Sequence, residues 1–152
     1  EIAFARAQIE AGADFIGVGD AAASLVSAEI YRNLILPREQ RIVAAIREAG
    51  AFTRLHICGN TTHLLPYLGE TGAEIVELDH PCDITHAREL IGPRTILMGN
   101  FDPVSELFSA TPACERSHRV LGDPYILAAG CEVPPGTPRA NLEAMFGMRS
   151  VG

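Results

Sequence analysis

Two hydrophobic periods alternate along the chain. Short, nearly continuous apolar runs rich in β-branched residues fall at Phe15–Val18, Thr53–Ile57, Glu74–Leu78, Thr95–Met98 and Tyr125–Ala129. Each predicts a strand buried on both faces, the pattern of parallel pairing. Between the strands the spacing predicts helices over about Glu29–Ala49, Thr62–Glu70, Ile84–Ile91, Ala113–Leu121 and Arg139–Phe146. In the longest of these, Leu34, Ile42, Ala45, Ile46 and Ala49 supply the apolar spacing. Gly50, Gly72 and Gly92 fall just past helix ends, where left-handed backbone is wanted.

Helix, glycine turn, strand and polar cluster thus recur five times, at roughly 20–39 residues per unit, which is the grammar of βα units. Five units fit either a piece of a (β/α)8 barrel or a small doubly wound sheet. The barrel is favoured because every strand ends in a polar group: Asp20, His56 with Cys58, Asp79 with His80, Asn100 with Asp102, and Cys131 with Glu132. Barrels gather their active sites at the carboxyl ends of the strands, whereas a doubly wound sheet concentrates them at one switch point. The expected architecture is therefore α/β, a single domain over residues 1–152 made of parallel strands from a TIM-type barrel. Glu1 opens inside an amphipathic helical pattern with no Met before it, so the chain is expected to be a piece of a longer protein.

Composition narrows the function classes. A net charge of −7, no basic stripe and no Trp argue against a nucleic-acid partner. No apolar run approaches the length that spans a bilayer. The four cysteines, 58, 82, 114 and 131, make no compact secreted framework; Cys82 and Cys114 read as reduced thiols in a cytoplasmic protein. His63, His86 and His118 fall on helices and read as surface or packing residues. Glu10, Glu29, Glu39, Glu48 and most arginines read as solvated helix faces.

The sharpest chemical signal is His56-Ile57-Cys58, followed by Gly59-Asn60. Residues i and i+2 of a strand share a face, so imidazole and thiol converge on one ion, and nitrogen with soft sulfur is a ligand set for zinc. Cys131 follows another buried strand at the same end of the sheet, in the Pro- and Gly-rich loop Gly130-Cys131-Glu132-Val133-Pro134-Pro135-Gly136-Thr137-Pro138. Three protein ligands leave one zinc position open, the mark of a catalytic site. A thiol bound there ionises at neutral pH. Two thiolates also cancel the charge of the ion, which suits alkylation of sulfur better than activation of water. Asp79 is a candidate fourth ligand or an orienting group. Asn100 and Asp20 are candidate substrate contacts, and Asp102 reads as the cap of a helix with Pro103 in its first turn. Gly17-Val18-Gly19-Asp20 lacks the third glycine and the acidic partner of a dinucleotide fingerprint; the small residues Ala21–Ser24 leave room for a bulky ligand or partner.

LHICGNTT, MGNFDP and GCEVPPGTP, in this order and spacing, resemble the uroporphyrinogen decarboxylase superfamily, and within it the branch of methylcobamide:coenzyme M methyltransferases. The resemblance implies the C-terminal half of a TIM-type barrel, with the N-terminal half supplied elsewhere, by a longer chain, a partner or an oligomer. It implies that His56, Cys58 and Cys131 match the zinc ligands of the methyltransferase branch, with Asp79 near a carboxylate that branch can offer to the metal. It implies methyl transfer between methylcobalamin carried by a corrinoid protein and a zinc-bound small thiol such as coenzyme M. The alternatives are a metal-independent decarboxylase of the same superfamily, which typically carries Gly-His where this chain has Gly130-Cys131; a non-catalytic partner of a corrinoid protein; and a purely structural zinc site.

Overall fold

All five predicted strands form and pair in parallel, in the order β1 (Phe15–Gly19), β2 (Phe52–Ile57), β3 (Ile75–Leu78), β4 (Ile96–Phe101) and β5 (Tyr125–Ala129). The computed structural model describes residues 1–109 and 124–147. The predicted helix at Ala113–Leu121 lies outside the described residues. Strand order equals chain order with no reversal, so each crossover returns the chain beside the strand it has just left. That arrangement is an arc of a (β/α) barrel and not a doubly wound sheet, whose strand order reverses.

Alternation along β2 shows which face is which. Thr53, Leu55 and Ile57 are buried, whereas Phe52 and Arg54 are exposed and His56 is half-buried. The buried set packs under the helices with Val76, Leu78 and Leu97 from the neighbouring strands. The other set looks into the hollow of the arc. Register carries this inward row across the sheet, from Gly19 to His56 to Glu77 to Met98 to Ile126.

Helix α1 (Ile2–Glu10) joins Ile16 and Ala51 through Ala5, together with Ile46 of α2 (Leu36–Glu48). Upstream of α2 the chain is already helical, capped by Ser27, whose side chain accepts from the Ile30 N–H. A π-helical turn at Tyr31–Ile35 separates this start from α2, which carries Pro37 near its first residue. Pro37 has no N–H to offer the preceding turn, and a wider turn accommodates that loss. The next helix is shorter than predicted: a 3₁₀ turn at Thr62–Leu64 leads into α3 (Leu65–Leu68), with Pro66 near its start. Helix α4 (Ile84–Ile91) has its predicted bounds and is capped by Asp83. Arg88 on its last turn donates to the carbonyls of Gly92, Thr95 and Pro124, stitching the helix to the starts of β4 and β5. Asp102 caps a π-helical turn at Pro103–Phe108, as its position before Pro103 predicts. The last described helix is α5 (Arg139–Gly147).

Strand β4 runs past its predicted end through Gly99-Asn100-Phe101. Gly99 holds φ of +124°, and a side chain there would stand 2.5 Å from the Leu78 carbonyl oxygen. Among the described residues no helix is long and apolar enough to cross a membrane.

Glu39 is not solvated; it is 3 % exposed, on the stripe of α2 that buries Leu36, Val43 and Ile46. The Tyr31 hydroxyl donates to its Oε2, and Oε1 is buried without a partner. Burial pushes the Glu39 carboxyl up to about 7, Asp20 adds to the rise, and the Tyr31 hydrogen bond opposes it. Between the ordinary carboxyl value of 4.5 and about 7 the native state therefore holds more protons than the unfolded chain, so stability falls as pH rises through that window. Glu39→Gln should flatten this slope, so that urea-unfolding free energies decline less across the window than those of the parent.

Candidate metal centre

Period-2 alternation places His56 on the inward face of β2, and Cys58 continues the same face one residue beyond the strand. The imidazole Nε2 lies 3.2 Å from the Cys58 sulfur. Cys131 arrives from β5, the strand at the far edge of the sheet. Its carrier, Gly130, extends β5 by donating to the Phe101 carbonyl at 2.8 Å. The Cys58 and Cys131 sulfurs stand 3.8 Å apart, both unlinked thiols. One ligand atom from each of His56, Cys58 and Cys131 lies within 4.8 Å of the others, the spacing of a group able to hold one metal ion. Tetrahedral zinc with Zn–S bonds near 2.3 Å separates two sulfurs by about 3.8 Å, so the thiols already stand at the required distance.

The three donors open on a cavity of about 400 Å³ lined also by Arg54, Glu77 and Glu132. Burial pushes the Cys58 thiol up, and the neighbouring Cys131 and Asp79 push it further. No cationic side chain relieves Cys58 in that balance, so a bound cation is what would favour its thiolate.

The uroporphyrinogen decarboxylase (URO-D) family matches residues 1–150. The chain belongs to the uroporphyrinogen decarboxylase family. A methylcobamide:CoM methyltransferase, MtbA, of Methanosarcina acetivorans is 39% identical over 149 residues, which cover 95% of this chain and 44% of that protein. A uroporphyrinogen decarboxylase of Nocardia farcinica is 37% identical over 122 residues, covering 80% of this chain and 34% of that protein. The solved structure of a methyltransferase from Methanosarcina mazei superposes with a TM-score of 0.82 at 28% identity, over 96% of this chain and 44% of that one. The chain thus spans less than half the length of these relatives. The family assignment and this likeness agree with the barrel arc read from strand order.

The remaining candidates occupy distinct places around the centre of this URO-D family chain. Asp79 is buried next to Cys58 but falls outside the convergent group. Its Oδ2 accepts from the Gly59 N–H at 2.6 Å and its Oδ1 from the His80 N–H at 2.7 Å, so the carboxylate pins the loop that follows Cys58. The Asn100 amide donates to the carbonyls of Cys82 and Asp79, at 2.7 and 3.2 Å, and ties down the loop after β3. Asp20 is not among the residues lining the metal cavity. It lines a separate cavity of about 700 Å³ that includes Gly19, Arg38 and Glu39. Alternation explains this: Phe15, Gly17 and Gly19 face inward, which turns Val18 and Asp20 toward the helices. Cys82 is buried and accepts from the Thr61 N–H, a packing role in keeping with its reading as a reduced thiol.

Glu77, also at the centre, belongs to none of the motifs. Glu77 stands directly opposite His56 in the β2–β3 register, with Oε2 3.6 Å from the His56 Nδ1 and 3.5 Å from the Arg54 Nε. The available signal was a charged residue at an inward position of the otherwise apolar strand Ile75-Val76-Glu77-Leu78.

Gly130 is required by contact: a β-carbon there would sit 2.5 Å from the His80 nitrogen and 3.1 Å from the Asp79 carbonyl carbon. Gly130→Ala should lower stability by about 1–3 kcal/mol, the usual cost of forcing atoms into a packed site. It should also displace Cys131, so that elemental analysis finds less bound metal than in the parent while His56 and Cys58 are intact.

Proposed function

We propose that this chain carries the zinc-binding half of a corrinoid-dependent methyltransferase, which moves a methyl group between a methyl-corrinoid held by a partner protein and a small thiol such as coenzyme M. The observation that carries the reading is the convergence of one imidazole and two unlinked thiols from β2 and the end of β5. A decarboxylase reading finds no use for that triad. Support also comes from the names of relatives: MtbA and MtaA of Methanosarcina species, 39% and 32% identical, are methylcobamide:CoM methyltransferases.

His56, Cys58 and Cys131 would hold the ion, and the cavity they line would have room for a thiol substrate. The chemistry zinc supplies when bound is ionisation of a substrate thiol near neutral pH. The residues present do the rest. Two thiolates neutralise the dication, which preserves the nucleophilicity of a third sulfur. Asp79, pinned between the Gly59 and His80 amides, fixes the loop carrying Cys58; it would serve as fourth ligand in the absence of substrate only if its carboxylate turned from these amides toward the group it now lies outside. Asn100 holds the β3 loop in place, leaving its amide oxygen for a substrate donor. Asp20 would contact substrate only by way of the separate cavity that it lines with Gly19, Arg38 and Glu39. The free thiols Cys58, Cys82 and Cys131 suit a reducing, cytoplasmic setting.

Purified protein should contain about one zinc per chain, the stoichiometry of a three-ligand catalytic site, and His56→Ala or Cys131→Ser should lose both the metal and methyl transfer from methylcobalamin to coenzyme M. Chelation should abolish transfer and leave most of the circular dichroism signal. Full activity with no bound metal would reject the proposal, and unfolding on chelation would instead mark a structural zinc site.

A further inference from the structure

The metal-side nitrogen of His56 is Nε2, because that atom is the one 3.2 Å from the Cys58 sulfur. Its other nitrogen, Nδ1, is buried and has no hydrogen-bond partner. A neutral imidazole carries one proton, so ligation through Nε2 leaves that proton on Nδ1, and a buried N–H requires an acceptor. The carboxylate paired with Nδ1 is that of Glu77, with Oε2 at 3.6 Å. This is slightly beyond hydrogen-bond length, a gap that a small rotation of the ring on loading would close.

Glu77 is itself held. Its Oε2 lies 3.5 Å from the Arg54 Nε, and its side chain is 11% exposed. Arg54 has room because Gly17 faces it across β1: a β-carbon at Gly17 would come within 3.3 Å of the Arg54 Nη2. All three participants sit on paired strands, with Arg54 opposite Gly17 and His56 opposite Glu77. Their approach is thus set by sheet register and not by a loop. Glu77 already faces the Arg54 cation on one side, and the His56 Nδ1–H becomes its second partner when Nε2 is a ligand.

We infer that Glu77 is a positioning residue for the metal centre, accepting the His56 Nδ1–H when Nε2 binds zinc, with Arg54 holding Glu77 in place. The inference rests on the zinc site of the proposed function, and its test separates the two. Zinc dissociation constants would be measured by competition with a chromophoric chelator on the full chain and on Glu77→Ala, Glu77→Gln and Arg54→Gln. Glu77→Ala should weaken zinc about 10- to 100-fold, the usual effect of removing a partner of a ligating histidine. Glu77→Gln, whose amide oxygen still accepts, should lose less, and Arg54→Gln should lose affinity with Glu77 intact. In the cobalt-substituted protein the ligand-field bands of Glu77→Ala should shift while thiolate-to-cobalt charge transfer persists, which a merely structural role would not produce. If Glu77→Ala fails to fold, Glu77→Gln and Arg54→Gln carry the test. Variants that bind zinc within about twofold of the parent would overturn the role of Glu77 while leaving the zinc site standing. A parent that binds no zinc would overturn both.

Discussion

The candidate site depends on the curl of the sheet. Strands β2 and β5 are separated by β3 and β4, and in a flat sheet three strand spacings amount to about 14 Å. The Cys58 and Cys131 sulfurs are nevertheless 3.8 Å apart. Curvature toward the inward face and the reach of two side chains make up the difference. The carboxyl ends of the strands must therefore crowd together, and two glycines show where they do. A side chain at Gly99 would strike the Leu78 carbonyl, and one at Gly130 would strike the backbone of Asp79 and His80. Both contacts lie between β3 and the strands beyond it, on the path that brings Cys131 back toward Cys58. Among the described residues the helices pack on the outer face, and the inner face carries the convergent donors.

Much of this is legible in the sequence because it follows from local rules. The five strands are visible as apolar runs, and the pairing of His56 with Cys58 follows from the two-residue repeat of a strand. Cys131 can be placed at the same end of the sheet once the strands are read as parallel. The direction of Asp20 is not legible by the same shortcut. A strand-terminal position does not by itself say which cavity a residue meets: Asp20, one residue beyond β1, lines the cavity shared with Glu39.

Glu39 shows a different failure. Periodicity treats the apolar stripe from Leu34 to Ala49 as one continuous helix, yet a π-helical turn at Tyr31–Ile35 interrupts it. A residue added to a turn rotates the downstream helix by about 100° relative to the upstream one. Leu34 accordingly ends 53% exposed, while the buried face of α2 runs through Leu36, Glu39, Val43 and Ile46. Read from Leu36 alone, that spacing includes Glu39. The turn that hides it depends on Pro37 and on tertiary packing of Tyr31, neither of which enters a periodicity count. Glu77 escapes for a related reason: its role is defined by the residue opposite it on β2, and cross-strand register is absent from a single strand's pattern.

The electrostatics of the centre argue for a cation and for what kind of work it does. Without one, Cys58 is held protonated by burial, by a second thiol and by Asp79. Each neighbour that disfavours its thiolate favours a dication instead. Under the proposed reading, two thiolates and an imidazole would neutralise the dication, and a carboxylate behind the imidazole would add further electron density to the ligand set. Such a centre is a weak Lewis acid toward water, whose activation needs residual positive charge. It is well suited to a sulfur ligand, which ionises readily on zinc and stays nucleophilic because little charge remains to hold its electrons. In the proposed centre Glu77 and the two cysteines would act in the same direction, joined where the loop after β5 meets the inward face of β2 and β3.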